Sequence, residues 1–426
     1  MSLSKRAHEA EEAIKGLDLW EVIPNLFDQE TNPDGIVSLG VAENSLMHDV
    51  LRKHIHDNLA LRNPAFTYGD GTTGTKQIKK TIARFLNTHL KPFKAIEPAH
   101  ITMTNGCSAA IEHLSWAVAN PGDGILLGQP YYGTFVPDLT ARFGAKLLPV
   151  AFGEVDPLGD EAVSKYEKVI LDAQDQGTRV SGLVISHPHN PLGRCYSRSV
   201  LIALMKLCQK YKVHFISDEI YALSVWNNTV DQHPPPVPFE SALSIDTTDI
   251  IDGDRVHVLW GMSKDFGANG IRVGTIVSQT NLPLHASIIA VGLYSSVSSI
   301  SDHVTVNILE DDAFVESYVA ENQRKLSAQY TRVVTWARKN QIDYAPGVNA
   351  AFFLWVDLGK AYMERHPQLE TNDITDLVMS KLMEKKIFLA SGKAFGSEKP
   401  GWFRIVFSHA DEYLDLGLGR VMEALL

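Results

Sequence analysis

The chain has 426 residues, of which 45% are hydrophobic and 21% are charged, and its formal net charge is −11. This composition is typical of a globular protein that is long enough for two domains. An acidic chain without a long basic run is poorly suited to the phosphate backbone, so we expect no nucleic-acid or anionic-membrane partner. The cysteines, Cys107, Cys195 and Cys208, form no CxxC pair, so neither a disulfide framework nor a metal site is expected.

The first twenty residues, MSLSKRAHEAEEAIKGLDLW, are charged along their length and lack the apolar core of a signal peptide. No later stretch is apolar over the length that a transmembrane helix needs. These features predict a cytoplasmic protein.

From about Ile101 onward, short apolar runs alternate with helical patterns. The predicted elements, in chain order, are the strand ITMTNG, the helix SAAIEHLSWAVAN, the strands GILLGQP and SGLVISHP, the helix VLIALMKLCQKY, and the strands VHFISDE, RVHVLWGMS and RVGTIVS. Continuous apolar strands separated by helices indicate a mostly parallel sheet that is covered on both faces.

After about residue 310 the pattern changes. A long charged helix is predicted for Asp311 to Lys339, followed by the strand AAFFLWVDL, a helix near Asp376 to Lys386, the runs KIFLAS and WFRIVFS, and a closing helix. This mixture fits a smaller α+β domain. We therefore expect a large domain over residues 51–310, a small domain over 311–426, and an N-terminal segment, 1–50, that packs on the small domain.

Polar residues follow the apolar strands at several of their carboxyl ends. Asp218 and Tyr221 follow VHFIS, Asn190 follows SGLVISHP, and Lys264 follows RVHVLWGMS. Ligands of open parallel sheets gather beyond this edge, so we expect these side chains to face one cavity.

This set suits pyridoxal phosphate. Lys264 supplies an amine for its aldehyde, and Asp218 supplies a carboxylate that keeps the pyridine nitrogen protonated. The helix that begins near Cys107 and Ser108 offers free N–H groups and a hydroxyl for the phosphate. Arg272 adds a fork that can bind phosphate oxygens.

The stretch SKDFGANGIRVG around Lys264 resembles the lysine motif of class I/II aminotransferases, the fold-type I pyridoxal-phosphate enzymes. The chain is most similar to the branch of 1-aminocyclopropane-1-carboxylate synthase and its non-plant homologues. The other matching stretches are NPDGIVSLGVAENSL, QPYYGTF, HNPLG, SDEIYALSVW and PGWFRIVFS, in the family's order from about residue 20 to the end.

The resemblance implies a fold and an assembly. The expected fold is α/β, with a large domain built on a mostly parallel seven-stranded sheet between helices and a smaller α+β domain. The expected assembly is a homodimer with its active sites at the subunit interface, acting on a small-molecule amino acid.

The resemblance also implies residue roles. Lys264, Asp218 and Tyr221 would be catalytic, with Lys264 bound to the cofactor and moving the Cα proton. The cofactor would be held by Cys107, Ser108, Tyr132, Asn190, Asp218, Tyr221, Ser263, Lys264 and Arg272, with Tyr132 stacked on the ring and Tyr221 and Asn190 bonded to its 3-oxygen. Arg404 would clamp the substrate carboxylate, and Ala42 and Glu43 would lie beside the substrate.

Two positions depart from the family pattern. Gly261 stands where members usually carry a hydroxyl for the phosphate, and Ser263 compensates for it in part. In YGDGTTG, Thr72 or Thr73 stands where the synthase has a tyrosine that reaches into the neighbouring subunit. Tyr68 replaces it only if the loop follows a different path, so cyclopropane formation is in doubt.

Three functions therefore stay open. The first is a lyase that cleaves a carbon–sulfur bond of an amino acid, by elimination or by cyclopropane formation from S-adenosylmethionine. The second is an aminotransferase for an aromatic or apolar amino acid with a 2-oxo acid acceptor. The third is a non-catalytic homologue that binds pyridoxal phosphate.

Overall fold

The computed structural model describes residues 3–14, 22–61, 63–371 and 373–426. Its α-helices are α1 (Lys5–Ile14), α2 (His48–Asn58), α3 (Lys76–Leu90), α4 (Cys107–Val118), α5 (Phe135–Thr140), α6 (Ala162–Asp175), α7 (Arg198–Tyr211), α8 (Met262–Asp265), α9 (Leu282–Val291), α10 (Ser299–Glu310), α11 (Asp312–Lys339), α12 (Leu358–Arg365), α13 (Ile374–Glu384) and α14 (Asp411–Leu425). Its strands are β1 (Val37–Ser38), β2 (Ile101–Thr104), β3 (Gly124–Gly128), β4 (Lys146–Val150), β5 (Val180–Ser186), β6 (His214–Asp218), β7 (Val256–Gly261), β8 (Gly274–Val277), β9 (Phe353–Asp357), β10 (Ile387–Phe388), β11 (Ala390–Ser391) and β12 (Trp402–Val406).

The central sheet has seven strands in the order β2-β8-β7-β6-β5-β3-β4. Only β8 runs antiparallel to its neighbours, β2 and β7. Buried side chains fill both faces of the sheet, which explains why its central strands read as unbroken apolar runs. The expected α/β fold with a mostly parallel sheet is confirmed.

The edge strand β4 was not among the elements predicted from the sequence. It is mostly accessible, since Lys146 and Pro149 are exposed, Leu147 and Leu148 are half-buried, and only Val150 is buried. An edge strand that contains proline carries little of the apolar signal of a central strand. The seventh strand therefore follows from the resemblance and not from periodicity.

A second, three-stranded antiparallel sheet, β11-β12-β9, forms the centre of the C-terminal part, with its own buried cluster. The N-terminal segment joins this part, because β1 pairs in parallel with β10 through Val37 and Ile387. On this basis we propose that the N-terminal segment ends at residue 50, that the large domain covers residues 51–310, and that the small domain covers residues 311–426. The portion of the N-terminal segment between residues 15 and 21 lies outside the described residues.

Within the described residues, no single helix is long and apolar enough to cross a membrane. One pair of helical segments, Leu282–Ser295 and Ser299–Glu310, meets the criteria of length and composition together, with a bend of 115° between them.

Candidate active site

The predicted side chains meet in a cavity at the carboxyl edge of the central sheet. Every residue assigned to the cofactor from the sequence lines it: Cys107, Ser108, Tyr132, Asn190, Asp218, Tyr221, Ser263, Lys264 and Arg272. Their roles toward a ligand stay predictions, but their convergence is a fact of the fold.

The strand register explains this convergence. Asp218, the last residue of β6, pairs with Ser186, the last residue of β5, and with Leu259 in β7. Because β8 runs antiparallel, its first residue, and not its last, lies at the same edge, next to Gly261. Arg272, two residues before β8, is therefore brought to the cavity by the strand that breaks the parallel pattern.

The Lys264 amine lies in the short helix α8 and donates a hydrogen bond of 2.6 Å to the Ala42 carbonyl. Asn269 Nδ2 donates to the same oxygen at 3.1 Å. The pKa of Lys264 is lowered to about 8. Burial is the largest cause, and repulsion from the Arg404 guanidinium is the second. An amine with this pKa is partly neutral near pH 8 and is therefore nucleophilic.

Asp218 is buried, and its Oδ1 accepts a hydrogen bond of 3.2 Å from the Ile220 N–H. Burial raises the pKa of Asp218 to about 7, because that N–H and the charge of Lys264 compensate the carboxylate only in part. A further cation beside this carboxylate would favour its ionised form, and a protonated pyridine nitrogen is such a cation.

Asp265 holds the lysine turn in place. Its carboxylate accepts from the Ser224 hydroxyl at 2.7 Å, from Trp260 Nε1 at 3.0 Å and from the Leu223 N–H at 3.1 Å. These donors belong to β7 and to the segment after β6, so one carboxylate ties the turn that carries Lys264 to the segment that carries Tyr221.

The opposite end of the cavity is suited to a phosphate. The first turn of the twelve-residue helix α4 presents Cys107 and Ser108, and Gly106 before it has φ +85°. A Cβ at Gly106 would lie 2.2 Å from Arg272 Nη2, so glycine is needed for the guanidinium to reach this turn. A helix N-terminus, a hydroxyl and a guanidinium together form an anion site.

The absence of a hydroxyl at Gly261 has a steric cause. A Cβ there would lie 2.5 Å from the Val273 carbonyl oxygen and 3.1 Å from Cys107 Sγ. The backbone of the neighbouring strand cannot move away without disrupting the pairing of Gly261 with Gly274. The family's extra donor is therefore incompatible with this packing.

We expect Gly261→Ser to destabilise the protein by about 1–3 kcal/mol, because overpacking forces backbone shifts. A denaturant titration measures this, with Gly270→Ser as the control, since a Cβ at Gly270 has no atom within 4 Å. A serine at 261 that left stability unchanged and tightened cofactor binding would contradict the steric argument.

Arg404 lies on β12 and is only 3% exposed. Its Nη1 donates to Asn190 Oδ1 at 2.8 Å and its Nη2 to the Gly40 carbonyl at 2.6 Å, while the guanidinium stands over the rings of Phe353 and Phe395. Its Nε is buried without a hydrogen-bond partner, and no carboxylate of the described chain pairs with it. A buried cation without an anion is costly unless a ligand supplies one.

The remaining predicted residues lie around this centre. Tyr132 is half-buried and meets Phe135 edge to face at 5.3 Å between ring centroids. Glu43 is exposed, and its carbonyl accepts a hydrogen bond from the Ser408 hydroxyl at 2.6 Å. The negative charge of Glu43 acts against burial and Arg404 and so limits the decrease in the pKa of Lys264. Glu43 does not line the cavity, whereas Ala42 reaches the site through its carbonyl.

Residues 392–398 form a strap that joins the C-terminal part to the central sheet. Its Phe395 carbonyl accepts from the Tyr131 N–H at 2.9 Å. The Glu398 carboxylate accepts from the backbone N–H of Phe152 at 2.8 Å and of Gly153 at 3.1 Å. The strap therefore fixes the segment that leads into Tyr132 relative to β12.

Several cavity residues were not found from the sequence. They are Ile111, Phe135, Asp138, Ser186, Ile220 and Asn269. Asn269 lies inside the quoted lysine motif, so its position five residues after Lys264 could have identified it as a residue of the site. Asp138 lies on α5, three residues after the end of the stretch QPYYGTF, and its position depends on how that short helix packs.

Residues 34–421 match the sequence model of the family described as aminotransferase class I and II. The chain belongs to this family. The class I and II aminotransferases depend on pyridoxal phosphate, and the amine, the buried acid and the anion site described above fit that cofactor.

The names of individual relatives point to different functions. The chain is 31% identical over 407 residues to a 1-aminocyclopropane-1-carboxylate synthase-like protein 1 of Takifugu rubripes, covering 94% of this chain and 63% of that longer protein. It is 30% identical to a probable aminotransferase of Leptosphaeria maculans, covering 95% and 96% of the two chains. A probable inactive synthase-like protein 2 of Mus musculus is 29% identical, with 99% and 70% covered.

Among solved structures of the same fold is the aspartate aminotransferase of Thermus thermophilus with maleate. It aligns over the full length of both chains with a TM-score of 0.75 and 18% sequence identity. At this identity the likeness concerns the fold, and it confirms the fold-type I architecture.

The loop that departs from the family pattern lies beside the phosphate end. The Thr73 carbonyl accepts from the Met103 N–H of β2 at 3.1 Å, and Thr72 lies close to Gly292. Tyr68 is 92% exposed. Within one chain neither threonine nor Tyr68 lines the cavity.

Proposed function

We propose that this chain binds pyridoxal phosphate and acts on an α-amino acid. The observation that carries the proposal is Arg404, a buried guanidinium without an anion, close enough to Lys264 for its charge to lower the pKa of that amine. A substrate with a carboxylate and an amine on one carbon would supply the missing anion and bring its nitrogen toward Lys264.

Each residue then has a task. Lys264 would hold the cofactor and afterwards move a proton at the substrate Cα. Asp218 would keep the ring nitrogen protonated, and Asn190 and Tyr221 would bond the ring oxygen. Bound pyridoxal phosphate would supply an electron sink for the charge that develops on Cα.

For the reaction, we propose cleavage of a carbon–sulfur bond, because synthase-like proteins are among the relatives that cover most of this chain. The test is a substrate panel of S-adenosylmethionine, cysteine conjugates, and amino acids with 2-oxoglutarate. Pyruvate and ammonia from a thioether would support elimination. The cyclopropane amino acid from S-adenosylmethionine would identify a synthase despite the altered loop.

An aminotransferase for an aromatic or apolar amino acid is the second candidate. The fungal relative favours it, since it carries that name and matches nearly its whole length. The threonines at 72 and 73 also favour it, because they replace the tyrosine tied to cyclopropane formation. A 2-oxo acid that accepts nitrogen in the panel, with no sulfur compound consumed, would replace the lyase proposal with this one.

A non-catalytic cofactor-binding protein is the third candidate, in line with the name of the mouse relative. The presence of both Lys264 and Arg404 speaks against it. Bound cofactor without turnover of any substrate in the panel would favour it.

We expect Arg404→Ala to raise the KM for the amino acid by about 10²-fold or more, because the fork to the carboxylate is lost. Cofactor affinity should change by less than about tenfold, since Arg404 does not line the cofactor cavity. Arg420→Ala is the control, as its Nη1 also donates to backbone carbonyls, at 2.8 and 3.2 Å. Equal losses of substrate and cofactor binding would contradict the role of Arg404.

We also propose a homodimer in the cytoplasm. Exposed apolar side chains gather near the loop beside the phosphate end: Phe66, Tyr68, Leu293, Tyr294 and Ile300. Such a group is typical of a buried interface. The cysteines are free, which suits a reducing compartment. Sedimentation and imaging of a tagged chain test these points, and a mass of 47.1 kDa at micromolar concentration would contradict the dimer.

A further inference from the structure

Asp138 places a second carboxyl group at the phosphate end of the cavity. It lies on α5, is half-buried, and lines the cavity together with Ser108 and Arg272. The Ser108 hydroxyl is close enough to this carboxylate to act on it and lower its pKa. None of the roles assigned to the site so far uses this acid.

The shared position of Ser108 and Asp138 in the cavity creates a conflict. A serine hydroxyl has a single hydrogen to donate, and an ionised Asp138 carboxylate beside it competes for that hydrogen. A dianionic phosphate at the start of α4 would need the same hydrogen. It would also stand close to a carboxylate in a partly buried site, where like charges repel strongly.

The surrounding charges do not remove this conflict. The carboxylates of Asp218 and Glu112 raise the pKa of Asp138, and the Arg272 guanidinium lowers it by a smaller amount. On the same side, Tyr132 contributes a phenol and no charge near neutral pH. Burial is the largest effect, and together these groups raise the pKa of Asp138 to about 7.

We propose that Asp138 takes up a proton when the phosphate of the cofactor binds, so that its carboxyl group becomes a hydrogen-bond donor in the phosphate site. The proposal rests on the proposed occupancy by pyridoxal phosphate. One proton passes from solvent to a carboxylate oxygen, no other covalent bond forms or breaks, and the Ser108 hydrogen stays available to the phosphate. Asp138 thereby replaces the donor that Gly261 cannot carry.

The consequence is a coupling between cofactor affinity and pH. Below about pH 6 Asp138 already carries its proton, and binding takes up none there. Above its own pKa the proton must come from solvent, so affinity falls by about tenfold per pH unit until the pKa of the complex is reached.

The test uses pyridoxine 5′-phosphate, which has no aldehyde and therefore forms no bond to Lys264. Its phosphate loses the second proton at about pH 6 and so stays dianionic between about pH 7.5 and about pH 8.5. The ring nitrogen of the ligand titrates in the same way with every protein variant, so it cancels when two variants are compared. Titration calorimetry of the full chain in buffers of different ionisation enthalpy gives both the affinity and the number of protons taken up.

We expect the wild-type chain to take up close to one more proton at about pH 8 than Asp138→Asn. For each unit of rising pH, the affinity of the wild type should therefore fall by a further factor of about ten relative to that of the variant. Glu112→Gln is the matched control, since this acid lies nearby on α4 but does not line the cavity, and it should behave as the wild type. Equal proton uptake and equal pH slopes in wild type and Asp138→Asn would overturn the proposal.

If Asp138→Asn fails to fold, the wild-type chain alone decides. Pyridoxine phosphate should then take up nearly one proton more at about pH 8 than pyridoxine without phosphate, because the two ligands share the same ring and differ in the phosphate. Equal uptake for both ligands overturns the role of Asp138 and leaves the proposed function intact. A chain that binds neither pyridoxal phosphate nor its analogue at any pH overturns both.

Discussion

Lys264→Ala is expected to lower turnover by at least about 10⁴-fold, because the residue both holds the cofactor and moves the substrate proton. The amine at 264 is part-buried and has a pKa of about 8, so it is matched to both tasks near neutral pH. The variant should also lose the visible absorption of covalently held pyridoxal phosphate while it still binds the free cofactor through the phosphate site. Absorption spectra and the substrate panel measure both effects.

Lys325→Ala is the matched control for this experiment. Its amine is part-buried and donates to the Leu46 carbonyl at 2.8 Å, as that of Lys264 donates to the Ala42 carbonyl at 2.6 Å, but it does not line the cavity. The control should keep the absorption band and near-normal turnover. An unchanged band in Lys264→Ala would refute the covalent role of this amine.

Asp218→Asn is expected to slow turnover by about 10²–10³-fold, because a neutral amide cannot hold a proton on the ring nitrogen. Cofactor affinity should fall far less, since the phosphate contacts are unchanged. The split between a large loss in kcat and a small change in cofactor Kd separates this electronic role from a structural one.

Glu219→Gln is the matched control for Asp218→Asn. Glu219 is fully buried next to Asp218, its Oε2 has no hydrogen-bond partner, and burial raises its pKa to about 8. The side chain is therefore mostly protonated at neutral pH, and glutamine has nearly the same shape and hydrogen-bonding capacity as that form. We expect turnover close to that of the wild type. Normal turnover in Asp218→Asn would contradict the electron-sink assignment.

The centre of the site could be predicted from the sequence because its residues follow apolar strands. A polar group that directly follows a buried strand must lie at the sheet edge, as Asp218 and Lys264 do. Arg404 is different, since only the resemblance indicated its role. Its burial without a partner anion gives that role a physical basis in this chain.

Other features depend on contacts between segments that are distant in the sequence. Asp138 reaches the cavity because α5 packs against α4, and no local pattern encodes that packing. The restriction at Gly261 arises from the Val273 carbonyl across the β7–β8 pair. Strand β4 is exposed at the edge and lacks the apolar run by which its neighbours were recognised.

The strap of residues 392–398 has a consequence for how this protein can diverge. Its bonds to the central part use the backbone N–H groups of Tyr131, Phe152 and Gly153, together with the side chains of Glu398 and of Gln129, whose Nε2 donates to the Gly396 carbonyl. Because most of these bonds use backbone groups, exchanges of side chains other than Gln129, Phe395 and Glu398 along these segments leave the hydrogen bonds of the junction in place. A scaffold of this kind can acquire new substrate preferences while it keeps its catalytic geometry.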